Sequence, residues 1–337
     1  MTQLDYATPK ALDPNALLRQ TARPEAITLL LLIVAFIVGP ILSPYFLDGQ
    51  YLLDSTSLYM EVGIMALAMT FVIISGNIDL SVASNLALTA VICGRLYNGG
   101  AGLSMPIVLV CYPLLGTILG AFNGLLVAWL KLPSLTVTLG TLALYRGLAQ
   151  VLAGDASYGG FPDWFVGLDY RYVGPLPLPL IIFLALAIVA AIVLHKTVLG
   201  RITYTIGLNE AAARYAGLRV DWTKLLLFAL SGLTAGVGAL MMTSRQYVAD
   251  YKLGTGDSSE LAVITAVVLG GTDIFGGRGS IVGTVLAVFL LGLLRTGMAL
   301  ANVTSDTQLI VTGSLLVVAV LLTRASGIFA AKLDKSA

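Results

Sequence analysis

The side chains able to do chemistry in this sequence are sparse, and none is spaced for catalysis. The one histidine, His195, closes an apolar run beside Lys196, as an interfacial residue does, and a lone imidazole cannot make a zinc site. Cys93 and Cys111 lie within apolar stretches, where a thiol packs as a small hydrophobe, and they show no disulfide or metal-ligand spacing. No G-x-x-x-x-G-K-S/T phosphate loop occurs. Gly276-Gly277-Arg278-Gly279-Ser280 is rich in glycine but lacks the lysine and the strand-to-helix setting. The chain therefore does not hydrolyse ATP itself. A G-x-S-x-G elbow and an H-E-x-x-H pair are also missing, which leaves no catalytic, cofactor-binding or metal-ligating set.

What remains is a scatter of polar side chains inside apolar segments, where each is costly unless it faces a bundle interior or a wet cavity. Arg146 and Arg295 are two such residues, and Glu61 is the only carboxylate that falls well inside an apolar segment. Thr136, Thr138 and Thr141 precede Arg146 on its segment, with Asn85 and Asn123 on two others. Hydroxyl and amide groups there either line a path for an uncharged, hydroxyl-bearing solute or glue helices together. Arg146 likewise divides between a packing ion pair and a pathway role. Asp79 follows Gly76 and opens a segment, so its charge meets the unpaired N–H groups of a helix start, a structural role. Asp273 sits in a loose echo of that stretch, Gly271-Thr272-Asp273-Ile274-Phe275 against Gly76-Asn77-Ile78-Asp79-Leu80, and is given the same part.

Between two apolar segments, residues 200–218 read as a short helix. Asn209 suits its cap, Glu210 its first turn and Gly217 its end. Ala211, Ala212 and Ala213, followed by Arg214, leave a smooth surface that another protein's groove could accept. A surface helix with basic residues against lipid headgroups reads the same way.

These residues are positioned by a chain that needs lipid as its solvent. Of 337 residues 58% are hydrophobic and 11% charged, and each bilayer crossing takes about 20 apolar residues. A net charge of +1 gives no basic surface for nucleic acid. Apolar segments separated by polar or Gly/Pro breaks give an all-α bundle of ten spans: 26–42, 57–75, 80–96, 106–130, 135–153, 178–194, 222–243, 261–271, 281–301 and 309–322. The eighth is too short to cross alone, so it either starts before Leu261 or is a broken helix. The first lacks a small-x-small cleavage pattern and reads as an uncleaved anchor. Tails of residues 1–25 and 326–337 flank a membrane domain of residues 26–325. With both termini inside, thirteen Lys and Arg residues lie at inner loops and span ends and four (Arg95, Arg171, Arg245, Lys252) at outer ones, the bias that cytoplasmic loops carry. The outer loop 154–177 holds Tyr158, Phe161, Trp164, Tyr170 and Tyr172, as an interface belt or a docking surface would.

Three stretches carry a family resemblance. They are Ser75-Gly76-Asn77-Ile78-Asp79-Leu80-Ser81-Val82; Asn123-Gly124-Leu125-Leu126-Val127 with Val137-Thr138-Leu139-Gly140-Thr141 and Tyr145-Arg146-Gly147; and Val267-Val268-Leu269-Gly270-Gly271-Thr272 with Gly276-Gly277-Arg278-Gly279-Ser280. In this order they resemble the ribose-type family of monosaccharide permeases of ABC importers, and residues 207–217 resemble the coupling helix that docks on the ATPase. The sequence departs from the family at Asn77 and Ala83, where glycine is usual. The resemblance implies a second permease chain, an ABC ATPase subunit, a periplasmic sugar-binding protein, a bacterial inner-membrane setting, and monosaccharide import by alternating access. It implies no cofactor. A six-carbon deoxy sugar such as rhamnose is the expected solute, with pentoses such as ribose and autoinducer-2 close behind. An ion-coupled carrier is the rival class, but it needs carboxylates near the membrane middle; a passive channel or a receptor is the third.

Overall fold

The computed structural model describes residues 24–42, 46–254 and 259–334. Residues 1–23 and 335–337, and with them Lys10, Arg19, Arg23 and Lys335, lie outside the described residues. Thirteen α-helices follow one another: α1 Pro24–Leu42, α2 Gly49–Thr56, α3 Met60–Ile74, α4 Val82–Asn98, α5 Met105–Ala128, α6 Ser134–Ala153, α7 Leu178–Lys196, α8 Val198–Leu208, α9 Glu210–Tyr215, α10 Val220–Gln246, α11 Ser259–Leu269, α12 Ile281–Leu300 and α13 Ser305–Asp334. The only sheet among the described residues is the two-residue hairpin β1 Tyr172–Val173 with β2 Leu176–Pro177, antiparallel, in the long loop before α7.

Apolar patterning sets the layers. Every residue of α3 is buried, so this helix, apolar all round, is the axis of the bundle. Around it α7, α10, α11 and α12 pack inward, while α1, α5, α6, α7 and α13 turn Leu30, Ile37, Val110, Leu139, Ile188 and Val317 outward. Apolar side chains outside and polar ones inside is the arrangement a hydrocarbon solvent demands.

The tightest seam joins α5 to α10. A Cβ at Gly116 would strike the Gly232 carbonyl and Gly236, and one at Gly120 the Phe228 carbonyl and Gly232. Glycines four apart on both helices let the two backbones touch, in the manner of small-x-x-x-small pairs.

All ten segments expected to span coincide with helices, but their lengths differ. Among the described residues five helices, α5, α6, α7, α10 and α12, are long and apolar enough to cross, or six if α2 and α3, bent by 56°, form one broken span. Three more, within 25–40, 259–269 and 305–321, are apolar but shorter. The eighth segment is α11, which begins two residues before Leu261 and has 11 residues. At 1.5 Å per residue it reaches about 16 Å, half of a hydrocarbon layer of about 30 Å. Because it starts at Ser259 it includes Glu260 in its first turn, a carboxylate that the expected span 261–271 left out.

Candidate functional site

At one end of the bundle α8 and α9 form an elbow. Asn209, extended at φ −162°, caps α9 by accepting from the Ala212 N–H at 3.0 Å. Gly217 at φ +76° ends the segment, its N–H donating to the Arg214 carbonyl at 3.0 Å while that of Leu218 reaches the Ala213 carbonyl at 3.1 Å. Ala213 is buried between Ile206 and Val220, whereas Ala211, Ala212 and Tyr215 face outward, so the exposed surface has two of the three alanines. Charges pin the elbow to α10. Glu210 accepts from Arg214 at 2.9 Å and Lys224 at 2.6 Å, and Arg214 donates to Asp221 at 3.0 and 2.5 Å. Burial raises the Glu210 pKa, but the Lys224 and Arg214 bonds outweigh it and hold the carboxyl below its usual range.

The same elbow touches two glycine junctions. A Cβ on Gly207 would overlap the Ile74 carbonyl and the Gly277 N–H, which themselves bond at 2.8 Å, and Tyr204 donates to the Gly279 carbonyl at 2.7 Å. Thus the junction α3–α4 meets the junction α11–α12 under α8. Within them Gly76 and Gly276 take φ +75° and +92°, conformations glycine adopts without strain. Asn77 is not among the residues with positive φ; its amide donates to Ser75 at 3.0 and 3.1 Å, so a side chain fits at this departure from the family pattern. Asp79 is buried, accepting from the Ser81 N–H, the Ser81 hydroxyl and the Ser231 hydroxyl at 3.0, 2.7 and 2.8 Å. Asp273 makes a tight turn by accepting from the Phe275 N–H at 3.0 Å.

Most of the polar residues inside the helices hold neighbours together. Asn85 donates to the Gly116 carbonyl at 3.1 Å, Asn123 to the Ser81 hydroxyl at 2.8 Å, Thr138 to the Ile78 and Ser134 carbonyls at 3.2 and 2.9 Å, and Thr141 to the Val137 carbonyl at 3.1 Å. All four are buried. Thr136 is exposed, and Arg146, whose side chain is 39% exposed, reaches Glu260 across to α11 at 3.5 Å.

At the opposite end, sequence reasoning missed a buried cluster. Arg245, in the last turn of α10, donates to Glu61 of α3 at 2.9 and 2.7 Å, to Asp169 of the 154–177 loop at 3.5 Å, and to the Ser57 carbonyl. Ser57 in turn donates to the Asp169 carbonyl at 3.1 Å. One guanidinium faces two carboxylates, and burial, opposed by Arg245 and reinforced by Glu61, pushes the Asp169 carboxyl up to about 7.

The bundle thus presents an exposed helical elbow at one end and a buried charge cluster at the other. The chain matches over residues 51–320 the family described as branched-chain amino acid transport system / permease component. It belongs to that permease family. The permease is 39% identical over 296 residues to the autoinducer 2 import system permease protein LsrD of Escherichia coli strain K12, covering 86% of this chain and 88% of the relative. The same protein of Shigella flexneri matches equally, and that of Escherichia coli O157:H7 is 38% identical over the same length. No solved structure matches. The permease is thus a membrane component of an ABC importer, a transport subunit, as the three resembling stretches imply.

Proposed function

We propose that this permease carries a small, uncharged, hydroxyl-bearing solute of the autoinducer-2 type into the bacterial cytoplasm by alternating access. The likeness to autoinducer-2 import permeases, which runs nearly the whole length of both chains, carries the reading and favours that solute over rhamnose and ribose. In this arrangement an ABC ATPase grips the outward face of Ala211, Ala212 and Tyr215, with Asn209, Glu210, Arg214 and Gly217 shaping the helix and Ala213 seating it. Gly207 then passes the movement to both glycine junctions. Ten spans, with both termini and α9 in the cytoplasm, put residues 154–177 outside, where a periplasmic binding protein delivers solute. A second permease chain completes the path beside α6, to which Thr136 and Arg146 contribute, while Asn85, Asn123, Thr138 and Thr141 keep its wall in place.

The test is uptake in proteoliposomes holding the permease, its partner chain, the ATPase and the binding protein. Autoinducer-2 should enter only with ATP, and rhamnose and ribose should compete poorly. Uptake that persists after the ATPase is omitted would replace this reading with an ion-coupled carrier.

A further inference from the structure

We infer that Arg146 and Glu260 form the solute contact at the middle of the bundle, and that they select a neutral molecule with adjacent hydroxyl groups. The inference rests on the import reading above and names the site within it.

Depth is the first support. Arg146 is twelve residues into α6 and Glu260 nine residues from the end of α11, about 18 and 14 Å from the helix ends nearest the α8–α9 elbow. Both therefore lie near the centre of a layer about 30 Å thick. Here α11 starts as a half-length helix. The chain enters from the far end, where Ala249 pairs with Tyr158, and Gly254 approaches Leu86 before its carbonyl accepts from the Ser259 N–H at 3.1 Å. Discontinuous helices whose ends meet near the bilayer middle are where transporters place solutes, because free backbone groups and charge converge there.

The pair is also under-bonded. Arg–carboxylate pairs usually form two parallel bonds of about 2.7–2.9 Å, and Arg245 with Glu61 does so at 2.9 and 2.7 Å. Arg146 and Glu260 approach at 3.5 Å only, and among the described residues Arg146 Nε and Glu260 Oε2 are covered and have no partner. Where this bundle needs glue it builds a tight pair. Between α6 and α11 it keeps a donor and an acceptor unfilled, beside a helix face where Cβ atoms on Gly140 and Gly147 would meet nothing.

Chemistry chooses the ligand. The pair is neutral as a whole, so an ionic solute would leave net charge in the membrane middle, and a zwitterion would have to pull the two side chains apart. Two neighbouring hydroxyls instead accept from the guanidinium and donate to the carboxylate while the pair stays together.

The experiment uses the full complex in proteoliposomes with autoinducer-2, with leucine as comparator. Replacing the pair by an apolar one, Arg146→Met with Glu260→Leu, removes both charges together and leaves neither unpaired, an exchange that ion pairs away from water commonly tolerate. The double variant should assemble with its ATPase, while uptake falls about tenfold or more. Glu260→Gln, which keeps the shape, should raise KM about tenfold with little change in kcat. Wild-type uptake by the double variant would reduce the pair to packing and overturn the inference. If that variant fails to assemble, an unchanged KM in Glu260→Gln overturns it equally. Leucine uptake that depends on the pair would overturn the choice of ligand. No uptake by the wild-type complex would count against the import reading itself.

Discussion

Arg245 is one cation answering two carboxylates, and burial of the second, Asp169, helped by the nearby Glu61 charge, sets a pH dependence. Asp169 has a folded pKa of about 7, above the value near 4 of an unfolded aspartate. A carboxyl raised on folding contributes stability that is full below the unfolded value and is lost as pH rises through the folded one. The melting temperature of the purified permease should therefore fall between about pH 4 and 7 and level off above, and Asp169→Asn should flatten that slope; thermal unfolding across this range checks it. Glu61→Gln attacks the same cluster from α3. It leaves the buried guanidinium poorly compensated and should cost about 3–5 kcal/mol, read as lower stability in denaturant. Glu61 stood out in the sequence, but its pairing was not legible, because Arg245 and Glu61 are brought together only by the packing of α10 on α3 and an arginine at a segment end reads as a loop charge. Glu260 was missed for a smaller reason, a helix start two residues early. Asn209 and Gly217 were legible because capping is local chemistry, written in neighbouring residues.

At the scale of elements, the elbow makes a sharper distinction than its sequence did. Three alanines suggest one smooth face, yet Ala213 points into the cluster with Ile206 and Val220. Ala212→Glu should leave the permease folded in the membrane but strip it of ATPase on copurification, whereas Ala213→Glu should lower thermal stability of the permease alone. Equal copurification of wild type and Ala212→Glu would make α9 a lipid-surface helix instead. Gly207→Ala tests the joint beneath. Its methyl group meets backbone atoms of Ile74 and Gly277, which cannot swing aside as side chains do, so overpacking of about 1–3 kcal/mol is expected. Uptake should fall more than ATPase activity, read as fewer solutes imported per ATP. Helix positions were legible from apolar periodicity across the chain. The truncation of α11 was only half legible, since an apolar run reports its own length but not what the preceding residues do.

The whole molecule is asymmetric end to end, with the elbow and glycine junctions at one end and the 154–177 loop at the other. Single cysteines at Asp163 and Ala212 should label from opposite sides of the membrane, Asp163 from the periplasm; labelling of both from one side would refute the ten-span topology. A different consequence follows from the glycine seam between α5 and α10. Gly120 and Gly232, in contact in the finished bundle, are 112 residues apart in the chain. At about 5–20 residues per second, a ribosome needs roughly 6–22 s to make the second after the first. During that wait α5 presents a bare backbone furrow to lipid, a surface that any stray helix with small residues can occupy. Assembly of this permease is therefore a race between its own α10 and foreign helices, and nascent chains stalled before Val220 are the ones a membrane chaperone or protease has reason to find.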